Sequence, residues 1–501
     1  MKLEELVKAV PNCYKQKLVD NQQEITGLAL DSRKVRPGFV FFAIRGAHQD
    51  GHCYLEQAVK NGATLLVVED ERYLRHQFSS PISVLVVKNS REAMASLSSR
   101  FYQAPSSAMK VFGVTGTNGK TTTCFILRSV LEKTGKACGL LTTVKNVVGV
   151  REEEATNTTE ESLYLERDLS AIREAGIEQV VIEVSSHGLA LGRVQEVKFD
   201  VATVTNLVPE HLEFHSNFEH YLQSKRKLLE KVEENRLKNY RRLIVFNSDD
   251  ENCRKIYSGI GVPFLTFGAG KEAEVQAREI EIGWRKTTFS LCTPWGRENV
   301  EIPFSGTHNV MNALAAASTA LGSGVSWEAV VEGLASCQKV PGRWELVEAG
   351  QKFTVIVDFA HNWHGLEQIL SQIRSLSRGR LIVVFGCGGE RDRAKRPLMG
   401  EVCARYSDVC IITTDNPRGE DPLATAEDAL SGVKKVAQTK KVCYSIIVDR
   451  VEAIRKAFNL AQTGDVVLLA GKGPERFQIY QDFVVPHNDF WIAWQILKGE
   501  R

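Results

Sequence analysis

The residues best suited to chemistry form the run Gly113-Val-Thr-Gly116-Thr117-Asn118-Gly119-Lys120-Thr121-Thr122. A β-branched stretch, 110–115, precedes it, and an amphipathic stretch, 121–133, follows, with Gly135 placed to cap the helix. Strand, glycine turn and helix is the context in which backbone N–H groups converge on phosphate at a helix N-terminus. Lys120 can reach the outer phosphates as a point charge, and the Thr121 hydroxyl can take a place on Mg²⁺. The strict pattern G-x-x-x-x-G-K-[ST] is missed by one position, because Val114 stands where its first glycine belongs. The loop predicts a bound nucleoside triphosphate, but kinases, GTPases and ligases share it.

Further residues narrow the choice. Glu183 ends the apolar run 180–182, where parallel α/β sheets place ligand groups; alone, it also reads as a strand-end carboxylate in solvent. His211 and His215 have the spacing of a zinc pair, but the protease form needs His-Glu-x-x-His and Leu212 follows the first histidine. Lys225, in Tyr221-Leu-Gln-Ser-Lys225, reads by itself as a solvated helix lysine. The eleven cysteines contain no Cys-x-x-Cys pair and fit reduced thiols.

Ten blocks in chain order resemble the Mur ligase family and span nearly the whole sequence. They are Asp31-Ser-Arg33 with the segment 46–51, Thr115–Thr122 in the loop, Asn157-Thr-Thr159, Glu183-Val-Ser-Ser-His187, His211-Leu-Glu-Phe-His215, Asn309-Val-Met-Asn312, Asp358-Phe-Ala-His361, the segment 385–400, Asp415-Asn-Pro-Arg418 and Gly471-Lys-Gly-Pro-Glu475. The resemblance implies an ATP-dependent amide ligase. A carboxylate attacks the γ-phosphate to give an acyl phosphate, and an amine then displaces phosphate.

By the same resemblance, Gly116, Thr117, Asn118, Gly119, Lys120, Thr121 and Thr122 hold ATP, with Asn309 near adenine and Asp358 on the ribose. Thr121, Glu183 and His211 serve Mg²⁺. Lys120, Lys225, Glu183 and His211 form the catalytic set, with Lys225 carbamylated to N6-carboxylysine, a modification that needs a neutral amine. Ser32, His48, Gln49, Asn157, Thr158, Thr159, Ser185 and Arg193 resemble contacts to a uridine-diphosphate-linked muramyl dipeptide. Arg391, Asn416, Arg418, Gly471 and Glu475 resemble the amino-acid site. The form Asp415-Asn-Pro-Arg418 implies that meso-diaminopimelate is added in preference to L-lysine, the Arg418 guanidinium holding the distal carboxylate. The expected reaction joins that amino acid to UDP-N-acetylmuramoyl-L-alanyl-D-glutamate in peptidoglycan synthesis. The alternatives are a paralogue acting on a related acyl substrate, a lysine-adding enzyme, a non-catalytic nucleotide-binding regulator, and a folate-type glutamate ligase, which the 31–51 and 415–418 blocks disfavour.

The chain departs from the family wording at three places. Glu160 stands where proline follows the Thr-Thr pair, Asn362-Trp363-His364 replaces Thr-Pro-Asp, and Pro474 replaces a histidine, removing a backbone donor and an imidazole together.

These residues need elements to position them. From Lys110 onward, short β-branched runs at 180–184, 201–205, 243–247, 353–359, 381–385, 409–413 and 466–470 alternate with amphipathic stretches, the rhythm of parallel α/β architecture. Between them lie an alternating segment, 289–303, and an alanine-rich helix, 306–321. Before Lys110, strands are expected at 25–31 and 39–43 and a helix at 54–61. The turn Val340-Pro-Gly-Arg343 reads as a linker. The fold class is therefore α/β in three domains: an N-terminal UDP-substrate-binding domain at 1–105, a central P-loop domain with a parallel mononucleotide-binding sheet at 106–337, and a Rossmann-like amino-acid-binding domain at 338–501. Across 501 residues, 63 lysines and arginines nearly balance 61 acids, so no field for nucleic acid or an anionic membrane arises. No apolar run approaches the roughly 18 residues of a membrane span. A cytoplasmic, monomeric protein is expected.

Overall fold

The computed structural model of the chain describes residues 1–10, 13–46, 49–236, 238 and 240–499. Runs of Val, Ile and Leu without charge become strands buried on both faces. Leu381–Cys387 and Val466–Ala470 are examples. The strands at 110–115, 243–247 and 466–470 match expectation residue for residue, and those expected at 180–184, 201–205, 353–359, 381–385 and 409–413 differ by one or two positions at an end.

The first sheet has five strands in the order Cys13–Lys17, Ser83–Val87, Ala63–Val68, Phe39–Phe42, Gly27–Ala29, parallel except for the first. The expected strand at 25–31 shortens to Gly27–Ala29, because the Asp31 side chain accepts from Arg33 N and starts a 3₁₀ turn, Ser32–Lys34. The helix expected at 54–61 is a 3₁₀ turn, Gly51–Tyr54, followed by a short α-helix, Leu55–Lys60.

The central sheet has eleven strands. Its parallel heart runs Gly139–Leu141, Gln179–Glu183, Lys110–Thr115, Val201–Val204, Leu243–Asn247, Phe264–Gly268. On one side it is extended by the antiparallel strands Lys145–Val148 and Arg151–Glu154; on the other Val275–Ile282 adds parallel to Phe264–Gly268, and Thr287–Thr293 and Gly296–Ile302 follow antiparallel. The alternating segment at 289–303 is thus part of a hairpin. The alanine-rich helix, Thr307–Gly322, packs against the nucleotide-loop helix, Lys120–Glu132, over one apolar core.

The third sheet has six strands in the order Glu345–Leu346, Thr354–Asp358, Val466–Ala470, Leu381–Cys387, Val409–Thr414, Cys443–Ile446, parallel after the first pair. Helices on both faces give it two cores. A small hairpin, Phe477–Ile479 with Val484–Pro486, follows the strand Val466–Ala470. In both parallel sheets the chemistry-bearing loops leave the carboxyl ends of the strands, where doubly wound sheets bind ligands. No helix among the described residues is long and apolar enough to cross a membrane.

Candidate active site

The nucleotide loop leaves the strand Lys110–Thr115 and turns at Gly116 and Gly119, both at positive φ (143° and 83°). A Cβ at Gly116 would lie 1.9 Å from Thr205 Oγ1, and one at Gly119 would lie 2.1 Å from Asn312 Oδ1, so only glycine fits either place. Val114, the break in the strict pattern, is a fully buried strand residue, and the turn simply begins two residues later. Asn118 N–H donates to Asn206 Oδ1 (3.0 Å), and Asn118 O accepts from Thr205 Oγ1 (2.6 Å). No side chain caps the following helix, Lys120–Glu132, which leaves its first-turn N–H groups to a ligand. Lys120 Nζ donates to the Gly116 and Thr117 carbonyls (3.1 and 2.8 Å).

Glu183 ends the neighbouring strand, Gln179–Glu183, and is buried. Its Oε2 accepts from the Thr121 hydroxyl at 2.9 Å and from Thr143 N–H at 3.0 Å. Lys225, on the helix Phe218–Glu234, is not a solvated lysine. It is 1% exposed, and its Nζ donates to Gly116 O (2.8 Å) and Thr115 Oγ1 (3.3 Å). Burial first, and the nearby Lys120 second, hold its amine well below the ordinary lysine range. His211 sits at φ 56° at the start of the turn Leu212–His215, 3.9 Å from Glu210 and 3.4 Å from Glu213. Its ring packs 4.7 Å from that of His187, whose pKa is lowered to about 3 by burial and by the histidines around it.

Among the described residues no three of His, Cys, Asp and Glu converge as a preformed metal cage. The hydrogen-bonded Thr121 hydroxyl and Glu183 carboxylate are nevertheless hard oxygen donors beside a phosphate-binding turn. That set fits Mg²⁺, which takes one or two protein oxygens and completes its shell from phosphate and water.

Across from this wall, the carboxyl ends of the third sheet supply the other half of one cavity of about 530 Å³. Asp358 ends its strand with Oδ1 on Ala360 N (2.8 Å) and Oδ2 on Trp344 N (2.8 Å). Asn309 lies near it on the central side, with Nδ2 on Ser305 O (2.8 Å). Arg418, at φ 52°, donates from Nη1 to Gly389 O (2.7 Å). Burial and the neighbouring Arg391 lower its affinity for its proton. Asn416 Nδ2 donates to Glu475 Oε2 (2.9 Å), and the buried Lys472 ammonium bridges Asn416 Oδ1 (2.8 Å) and Glu475 Oε2 (2.5 Å).

The cavity gathers Gly116, Thr117, Asn118, Gly119, Lys120, Thr121, Thr122, Asn157, Thr158, Glu183, Ser185, Arg193, His211, Lys225, Asn309, Asp358, Arg391, Asn416, Arg418, Gly471 and Glu475 on its walls. Thr159 lies just behind, its hydroxyl on Glu183 O (3.0 Å) and Ser185 Oγ (3.1 Å). Arg193 donates to Thr159 O and Glu161, both at 2.7 Å, and Glu161 also pairs with Arg91 of the N-terminal domain. Ser32 and Gln49 are not brought to this cavity: Ser32 is buried with its hydroxyl on Gln57 (2.9 Å), and Gln49 is exposed. His48 lies outside the described residues.

Three residues of the site were missed in the sequence. Arg343, read as linker, donates from Nη2 to Thr121 Oγ1 (3.3 Å), lies 4.6 Å from the Phe359 ring centroid and has a buried Nε without a partner among the described residues. Glu210 is held well below the carboxylate range, against the effect of its burial, by His361, His211 and Lys120. Lys472 is the third. Its signal was a lone cation between glycines after an apolar strand.

The departures also acquire physical accounts. Glu160 accepts Thr156 N–H (2.8 Å) and Asn157 N–H (3.0 Å), bracing the Asn157-Thr-Thr loop with a carboxylate where proline would brace it covalently. Pro474 packs on the linker glycine Gly342. Asn362 caps the helix Trp363–Leu376.

A P-loop wall facing a Rossmann-like wall across one cavity defines a nucleotide-dependent, two-substrate enzyme class. The profile "Mur ligase family, catalytic domain" matches residues 24–102, "Mur ligase middle domain" 114–320, and "Mur ligase, glutamate ligase domain" 342–473. The UDP-N-acetylmuramoyl-L-alanyl-D-glutamate–2,6-diaminopimelate ligase of Syntrophomonas wolfei is 41% identical over the full length of both chains. A solved structure of a ligase of the same name superposes with TM-score 0.64 at 27% identity, covering 100% of this chain and 99% of the other. The MurF ligase from Thermotoga maritima, solved in complex with ADP, shares the fold with TM-score 0.65 at 19% identity, covering 95% and 98%. The chain belongs to the Mur ligase family.

Proposed function

We propose that this chain joins meso-diaminopimelate to the D-glutamate carboxylate of UDP-N-acetylmuramoyl-L-alanyl-D-glutamate, converting ATP to ADP and phosphate. The carrying observation is the two-walled cavity: phosphate-binding groups on the central domain face paired guanidinium groups on the C-terminal one. The Gly116–Thr122 turn and the free helix N-terminus bind the ATP phosphates, with Asp358 and Asn309 set for the nucleoside. Lys120 and Arg343 face the transferring phosphoryl group and offset the charge that builds there. When bound through Thr121 and Glu183, with His211 as a further ligand, Mg²⁺ supplies Lewis-acid polarisation of the phosphate oxygens. The muramyl carboxylate, held by Arg193, Ser185 and the 157–159 loop, attacks the γ-phosphorus. The acyl phosphate that results is opened by the amine, and the tetrahedral intermediate expels phosphate.

Lys225, whose amine burial drives toward its neutral form, is the group that takes up CO₂ to become N6-carboxylysine. Arg391 and Arg418 read the distal carboxylate of the amino acid, and Asn416, Gly471 and Glu475 fix that carboxylate and the ammonium. L-lysine lacks that carboxylate and would leave the half-buried Arg418 guanidinium without it, which costs about 1–3 kcal/mol, or roughly tenfold to a hundredfold in kcat/KM. The N-terminal domain, near 1–105, takes the uridine diphosphate through Ser32, His48 and Gln49. A cytoplasmic monomer completes the reading, the latter checkable by light scattering.

The test is phosphate release by the purified protein with Mg²⁺-ATP, the muramyl dipeptide nucleotide and either amino acid. Turnover with diaminopimelate and a preference over lysine that collapses in Arg418→Ala is expected. No turnover with this nucleotide, or a preference for lysine that survives the mutation, overturns the assignment.

A further inference from the structure

Asn362 is nearly buried, at 7% exposure, and uses both ends of its amide. Its Oδ1 accepts from Gly365 N–H at 2.8 Å, capping the first turn of the helix Trp363–Leu376. Its Nδ2 crosses the domain boundary and donates to Glu210 Oε1 at 2.7 Å, with Asn118 Oδ1 at 3.4 Å. The amide orientation is fixed by its partners, because an N–H on one side and a carboxylate on the other leave one sensible assignment. Asn118 belongs to the nucleotide turn, and its backbone is tied by Asn206 and Thr205. Glu210 also faces His361, at 3.6 Å, and His211, at 3.9 Å. A side chain of the amino-acid-binding half is therefore bonded directly to the phosphate-binding half.

We propose that Asn362 is a positioning residue that clasps the C-terminal domain to the nucleotide turn through Glu210 and Asn118, and so sets the distance between the two halves of the cavity. Capping alone would not select this residue, since Ser, Thr and Asp cap as well. Among these capping side chains only asparagine carries acceptor and donor on separate atoms, so that Oδ1 accepts from its own helix while Nδ2 reaches the carboxylate. The bond matters for group transfer because the acyl phosphate and the amine are held on different domains, and a misplacement of about 1 Å can cost roughly a hundredfold. The clasp rests on this cavity being the ligase site, not on which amino acid is added.

The test compares the full-length wild type with Asn362→Ser, Asn362→Asp, Glu210→Gln and the double variant Asn362→Asp/Glu210→Gln. The readouts are the radius of gyration by small-angle scattering, free and with ADP, and kcat/KM for phosphate release. All variants at 362 keep a capping oxygen, so their melting temperatures stay near wild type. Asn362→Ser is expected to expand the particle and lose roughly tenfold to a hundredfold in kcat/KM, as for a lost hydrogen bond to a charged group. Asn362→Asp is expected to be worse, because two carboxylates then meet. The double variant is expected to recover relative to Asn362→Asp, since the amide introduced at 210 donates to the carboxylate introduced at 362. Serine and aspartate variants both matching wild type, or a double variant no better than Asn362→Asp, would overturn the clasp. Should Asn362→Asp not fold, the scattering of Asn362→Ser decides. A wild type that is inactive with the proposed substrates would overturn the substrate assignment, while the scattering still reads the clasp.

Discussion

Lys120 and Lys225 both donate to the single carbonyl of Gly116, at 3.1 and 2.8 Å. Two amines so close to one oxygen repel each other when both are charged, and the buried Lys225 is the one driven toward neutrality. Lys120→Ala is expected to lower kcat roughly a hundredfold to a thousandfold, with an unchanged circular dichroism spectrum because the side chain serves a ligand. An active variant would remove the loop from the mechanism. Lys225→Ala is expected to lose turnover and to regain part of it with added formate or acetate, which can occupy the place of the carbamate. Full activity without the additive would show that no carboxylate is needed there. Lys472 acts on the amino acid by proxy, since its ammonium orients Asn416 and partly neutralises Glu475. Lys472→Met is expected to raise KM for the amino acid about tenfold or more while KM for ATP stays put. Equal rises in both would point to unfolding of the loop instead.

At the scale of elements, the helix Ser162–Glu174 packs on Ser90–Phe101 of the N-terminal domain and carries a misfit. Glu166 is 1% exposed, its Oε2 has no partner among the described residues, and burial with the nearby Glu196 raises its pKa to about 8. The folded state holds a proton that the unfolded chain releases near 4.5. Stability is therefore fullest below 4.5 and falls as pH rises toward 8. Glu166→Gln is expected to raise the melting temperature above pH 8, at roughly 2–4 °C per kcal/mol for a domain of this size, and to have little effect near pH 4. A variant less stable at high pH would show that the carboxylate is satisfied by water.

The same elements explain how much was legible in the sequence. Strands such as Leu243–Asn247 and Val466–Ala470 announced themselves, because burial on both faces demands an unbroken apolar run. Arg151–Glu154 did not, since an edge strand exposed on every residue carries no such signal. The nucleotide turn and Glu183 could be read from local spacing. Arg343, Glu210 and Lys472 could not, because their meaning comes from residues far away in the chain, and the depressed amine of Lys225 comes from its burial and from Lys120, more than a hundred residues away in the chain.

Across the whole molecule, the linker is where the two halves of the cavity are joined. Gly342 has φ 66°, and a Cβ there would lie 2.1 Å from Pro474 N and 2.3 Å from Gly473 C. Gly342→Ala is expected to push the 471–475 loop out of place, cost roughly 1–3 kcal/mol and reduce kcat/KM for the amino acid, although it touches no substrate. Wild-type kinetics in that variant would show that the linker and the loop move independently. The central sheet has a different consequence at this scale. An open ladder of eleven strands ends in two free borders, and such borders invite a second molecule to continue the ladder. Here the outermost strands are Arg151–Glu154, charged and exposed at all four positions, and Gly296–Ile302, which carries Arg297, Glu298 and Glu301 outward. Any strand docking on either border would have to desolvate those charges, so these borders protect the protein from polymerising edge to edge when it is crowded.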